Sequence, residues 1–110
     1  MIVVRIVRDS NQHIEAFSIS GHSGYAQRGQ DIVCAGVSAI VQTTILGLQE
    51  VLGVKCTGNQ AEGKLECTLP RLEQEMQHKT DILLDTMLLG LTAIATSYPK
   101  HVRILDSKEV

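Results

Sequence analysis

The chain reads as an α/β domain of the α+β type: two layers, with a mixed, mainly antiparallel sheet and two helices on one face, in the order β-β-α-β-β-α-β. Three observations predict this. Two pairs of short strand patterns are each closed by a polar or glycine-containing turn. Each pair leads into a long, largely apolar helical stretch. One more short strand pattern follows the second helix.

The elements can be justified in order. Ile2 to Arg8 alternates as a strand does, Asp9-Ser10-Asn11-Gln12 is a polar turn, and Ile14 to Ser20 returns as the second strand. A glycine-punctuated stretch, Gly21 to Gln30, interrupts the pattern. Asp31 has the acidic side chain suited to cap a helix start. Ile32 to Leu52 is helical in pattern and apolar on most sides, and Gly53 is a fair stop. Val54 to Thr57 and Leu65 to Leu69 read as a second hairpin turning through Gly58 to Gly63, ended by Pro70. Leu72 to Tyr98, starting nearer Gln74 on one reading, is the second helix, stopped by Pro99. Val102 to Leu105 is a last short strand.

Composition narrows the function classes. The 110 residues fit one domain, 1–110, large enough for a core without staples. Hydrophobic residues make up 44 % of the chain, but only three are aromatic, so an aliphatic core is expected. Net charge is −2, with no basic run and no aromatic platform, so direct nucleic-acid binding is not predicted. The N-terminus lacks the plan of a signal peptide, and the longest apolar run, Met87 to Ala95, is too short to span a bilayer. A soluble, cytoplasmic protein without a membrane partner is expected. The three cysteines, Cys34, Cys56 and Cys67, form no CxxC pair. That spacing argues against a disulfide framework or a zinc ribbon, and no metal or cofactor is expected. Both helices are apolar over more than one face. The surplus on Ile82, Leu83, Leu84, Met87, Leu88, Leu89 and Leu91 predicts a homodimer interface, the alternative being a fully wrapped core helix.

The chemistry concentrates around the glycine stretch. With Asp31 as the cap, Cys34 is the third helical residue. Helix N-termini and nearby cations can draw a thiol pKa from about 8.5 to between about 3.5 and 7.5. Cys34 is therefore a candidate nucleophile, against the plainer reading of a small buried helix cysteine. Eleven residues lie between it and His22, enough to bring a strand end to a helix start and make His22 a candidate base. His13, His78 and His101 fit ordinary surface histidines. Cys56 and Cys67 fit structural strand cysteines. Gly21, Gly24 and Gly29 give either simple turns or a loop that closes over a bound peptide. Asp31 is expected to cap the helix rather than also orient His22. Ser38, one turn after Cys34, either supports the site or bonds back to its own helix.

The run Gly21-His22-Ser23-Gly24, then Gly29-Gln30-Asp31-Ile32-Val33-Cys34 and Ser38, resembles the signature of the bacterial ribosomal-processing cysteine proteases (Prp). The pattern is G-H-x-G, a short variable loop, G-x-D-I-V-C and a Ser four residues on. The resemblance extends over the whole length and the element order. It implies a two-layer α/β homodimer with a flexible loop between His and Cys. It also implies removal of the N-terminal extension of a large-subunit ribosomal protein, cut after two phenylalanines and before a small residue. Cys34 would be the nucleophile and His22 the base. Amides at the helix start would hold the oxyanion. An apolar groove would take the aromatic residues, with Tyr25 as one wall. Two rivals stay open on the residues themselves. One is a ribosome-associated binding module without catalysis, which a missing His or Cys or a basic face would mark. The other is a thiol switch or acyl carrier, which would act without His22 and without cutting peptides.

Overall fold

The computed structural model describes residues 1–109. β1 (Ile2–Arg8) and β2 (Ile14–Ser20) form where the alternation predicts them and pair antiparallel. Ile2, Val4 and Ile6 are buried while Arg5 and Val7 are exposed, because successive strand side chains point to opposite faces. In β2 the buried residues Ile14 and Phe17 break that period. A bulge accounts for it: Val7 faces Ala16 but Arg8 faces Ile14, so one extra residue lets both apolar side chains turn inward.

α1 (Ile32–Leu46) runs on into a wider turn over Gly47–Val51, where Leu52 N–H donates to the Gly47 carbonyl five residues back at 3.0 Å. The helical stretch thus ends where Gly53 signals. The second hairpin differs from expectation. Its first strand is β3 (Gln60–Ala61), not Val54–Thr57, and it pairs with β4 (Lys64–Thr68) around a two-residue turn, Glu62-Gly63. Within 54–57 only Thr57 bridges to the sheet, to Thr68. The cause lies at Gly58, whose backbone is pressed so close to the Glu66 carbonyl that a Cβ there would collide with it. α2 (Gln74–Ser97) starts at the later of the two expected positions, and β5 (Val102–Asp106) closes the fold.

The strand order is β3-β4-β2-β1-β5, with β5 parallel to β1 and every other pairing antiparallel. Both helices lie on one face, as expected. Val33, Val37 and Val41 of α1 and Leu84, Met87 and Leu91 of α2 meet Val4, Ile6, Phe17, Cys67 and Val102 of the sheet. Full burial of side chains of this size contributes about 1.5–3 kcal/mol each. The helices run antiparallel and approach closely through glycines. A Cβ on Gly47 would stand 3.2 Å from Leu83 Cδ2, and one on Gly90 3.2 Å from Ile40 Cδ1. Taken as whole helices, Ile32–Val51 and Gln74–Ser97 are long and apolar enough to cross a membrane by composition, which the length of a single apolar run does not reveal. Here each lays a face on the sheet instead. The outward surplus is narrower than the sequence predicts. Leu84, Met87 and Leu91 are core residues, which leaves Ile82 and Leu89 exposed on α2 beside Leu46 and Val51 after α1.

Candidate active site

The start of β1, the end of β2, the start of α1 and the tip of the β3–β4 hairpin meet at one end of the sheet. They enclose a cleft of about 240 Å³ that His22, Cys34 and Ser38 all line, so three residues singled out in the sequence share one space. Ile2, Ile19, Val37, Val41 and Leu65 supply its apolar surface, and Gln42, Gln60 and Lys64 its polar rim. Gly21 lies in its wall at φ +88, where a Cβ would collide with the Met1 carbonyl oxygen. Only glycine allows β2 to turn out at that point.

Asp31 caps α1 and does more than cap. Its Oδ1 accepts the amides of Val33 (3.0 Å) and Cys34 (2.9 Å). Its Oδ2 accepts the Ser23 hydroxyl and, at 3.4 Å, the Ala26 amide. One carboxylate thus fixes the helix start with one oxygen and the loop with the other. Among the described residues it makes no bond to His22, so the expectation that it does not orient the imidazole holds. The Ser23 hydroxyl, followed by the amides of Cys34, Ala26 and Val33, holds the Asp31 carboxyl down at about 2 against partial desolvation. This occupancy also corrects the oxyanion assignment. The amides of Val33 and Cys34 are spent on Asp31. The amide directed at the sulfur is that of Ser23, which donates to Cys34 Sγ at 3.3 Å.

Ser23 and His101 are what sequence reasoning missed. Ser23 occupies the open position of G-H-x-G, yet it is buried. Its N–H meets Cys34 Sγ, its hydroxyl meets Asp31 and accepts the Tyr25 amide at 3.1 Å, and its carbonyl meets His101 Nδ1 at 2.8 Å. His101 is half-buried rather than an ordinary surface histidine. Tyr25 does not wall the cleft. Its ring sits edge-on to Tyr98 and to His101, with centroids 5.5 Å apart in both cases, because the tyrosine finds its apolar contact there. Gly24 and Gly29 lie in the loop at φ +70 and +87 with open space around them, and neither lines the cleft. Cys56 precedes the Thr57 bridge rather than lying in a strand. Cys67 is buried in β4, and burial with the neighbouring Cys56 pushes its thiol well above the usual range, which fits a structural role.

A thiol at a helix start, an imidazole across the same cleft and an apolar floor make up the equipment of a cysteine hydrolase. The comparisons agree. Residues 1–103 match the sequence profile of the family described as Cysteine protease Prp, and the chain belongs to that family. It is 30 % identical to the ribosomal processing cysteine protease Prp of Bacillus subtilis, covering 94 % of this chain and 96 % of that one. Identity to the Mycoplasma pneumoniae Prp is also 30 %, over 82 % of this chain and 85 % of that one. The fold superposes with a TM-score of 0.89 on the S. aureus Prp in complex with a covalently linked product peptide, at 23 % identity, covering 97 % of this chain and 100 % of that one. The protein is thus a cysteine protease of ribosomal protein processing.

Proposed function

We propose that this protease removes the N-terminal extension of a large-subunit ribosomal protein in the cytoplasm, with Cys34 as nucleophile and His22 as base and acid. The observation that carries the reading is the shared cleft, which pairs a thiol and an imidazole over apolar surface. A peptide substrate is further supported by the S. aureus relative, whose structures hold a substrate peptide and a product peptide.

The steps follow from the chemistry. His22 takes the thiol proton, and Cys34 Sγ attacks the scissile carbonyl carbon. The Ser23 N–H, already on the sulfur, is the donor nearest the oxygen that gains charge, and a donor of this kind contributes about 2.7–4 kcal/mol. His22 then gives its proton to the leaving amine and the C–N bond breaks. Water, deprotonated by His22, attacks the thioester and releases the acid and the free thiol. Ile19, Val37, Val41 and Leu65 form the apolar surface on which aromatic residues before the cut would rest. Exposed Ile82 and Leu89, with Leu46 and Val51, supply the face through which two copies would form a homodimer.

The test is incubation with the extension-bearing ribosomal protein. The wild type should shorten it, and the Cys34→Ala and His22→Ala proteins should not. An intact extension with wild type, or cutting by Cys34→Ala, overturns the reading. Sizing at low concentration should give a dimer, and a monomer would remove the assigned face.

A further inference from the structure

We propose that His101 is a positioning residue of the hydrolysis, acting through Ser23 on the sulfur of Cys34. The inference rests on the proposed roles of Cys34 and His22 and extends them to a residue 78 positions along the chain from Ser23.

The argument begins with what fixes Ser23. The Ser23 carbonyl can only accept, so His101 Nδ1 carries the proton and donates it. On the other side of the same residue, the N–H reaches Cys34 Sγ. That N–H belongs to the peptide joining His22 to Ser23. Holding Ser23 therefore sets the backbone from which the imidazole of His22 extends, as well as the donor on the nucleophile. Asp31 pulls on the Ser23 hydroxyl from the helix side, and His101 pulls on its carbonyl from the sheet side. The loop residue between base and nucleophile is held from two directions.

His101 is itself well held. Its N–H donates to the Tyr98 carbonyl at 2.9 Å, and its carbonyl accepts the Ile2 amide at 2.9 Å, at the start of β1. Its ring meets Tyr25 edge-on at 5.5 Å, and Tyr25 in turn meets Tyr98. A rigid donor on a rigid strand start is what a mobile, glycine-containing loop needs if its first residues are to stay in place. Gly24 and Gly29 can then let the residues between them move while Ser23 does not.

The experiment uses His101→Leu, which removes the donor, and His101→Asn, whose amide nitrogen lies the same number of bonds from Cα as Nδ1. The substrate is a fluorogenic peptide with two phenylalanines before a small residue. Alkylation of Cys34 by iodoacetamide is followed in parallel by peptide mapping. His101→Leu should lower kcat by about tenfold to a hundredfold with KM little changed, since misplacement by about 1 Å can cost a hundredfold. It should slow Cys34 alkylation as well. His101→Asn should restore most of both rates. Unchanged kcat and alkylation in His101→Leu overturns the proposal. Equal losses in both variants that track a lower Tm also overturn it, because they mark a merely structural residue. The alkylation arm does not need cleavage. A wild type that cuts nothing but shows the alkylation pattern refutes the protease reading and leaves the His101 support standing.

Discussion

The two ends of the sheet each hold a histidine in a concave surface, and only one of them is equipped for hydrolysis. At the hairpin end, His13 Nδ1 meets Asp81 Oδ2 at 2.8 Å, and Gln77 Nε2 donates to Asp81 Oδ1 at 2.9 Å. The hollow there is the larger, about 1270 Å³ against about 240 Å³. Its lining is largely polar and contains no cysteine. At the other end His22 makes no such pair, but it shares a cleft with a thiol at a helix start. A His–carboxylate pair is a common way to satisfy a half-buried imidazole. What separates the ends is a nucleophile with a donor on it, and hollow size misleads.

The sharpest way to break this contrast is substitution at both ends. Cys34→Ala should abolish cleavage, and His22→Ala should lower the rate by about 10²–10⁴, the usual worth of a general base. His13→Ala should leave the rate within about twofold, having no part in the proton transfers. Initial rates on the same peptide decide it, and a large loss in His13→Ala would erase the distinction.

Stability gives the next effects. Asp106→Asn at the hairpin end removes the carboxylate from Arg8 Nε, 2.9 Å away and little exposed, and should destabilise by about 3 kcal/mol in urea unfolding. Cys34 alkylation should not change. Gly21→Ala at the cleft end should cost about 2 kcal/mol or more, because it meets both a positive φ and the Met1 carbonyl. Gly24→Ala, with open space around it, should cost about 1 kcal/mol. If the two glycine variants were equally costly, contact with Met1 would not be what reserves position 21 for glycine.

Acid separates the ends less by size than by cause. The Asp31 carboxyl sits at about 2 in the fold against 3.8 as a free side chain. Below 3.8 the unfolded chain binds a proton that the folded one refuses. The Asp31 contribution is therefore present above that pH and lost as pH falls toward 2. Asp106 is also lowered, chiefly by Arg8, and loses its contribution in the same direction. Asp31→Asn should flatten the acid limb of stability and loosen the loop to added protease. Ser23→Ala should move that limb to higher pH, since its hydroxyl is the main support of the carboxylate. The smallest expected change belongs to neither end. Thr80→Val should stabilise by about 1 kcal/mol, because the Thr80 hydroxyl is buried without a partner among the described residues.

Much of this was legible in the sequence where the cause is local. Alternation gave β1 and β2, and the acidic side chain of Asp31 before an apolar run gave the cap. His22 and Cys34 stood out because a glycine loop joins a strand end to that cap. The first strand of the second hairpin was misplaced because the ladder there is broken by contact between Gly58 and Glu66, which no periodicity records. Tyr25 and His101 were misjudged for a related reason. Their partners come from the far end of the chain, and an aromatic in a loop carries no mark of which surface it will rest on.

The ion pair of Arg8 and Asp106 has a consequence at the opposite end of the molecule. It fastens the last residue of β5 to the last residue of β1, and those two strands run parallel with Val102 beside Ile2. β5 therefore behaves as a ruler clamped at its far mark, with His101 just before its first. A slip of one residue along β1 would carry that histidine about 3.3 Å and turn alternate side chains to the wrong face. The alignment of the cleft is in this sense gauged from the hairpin end, by two charges that never approach it.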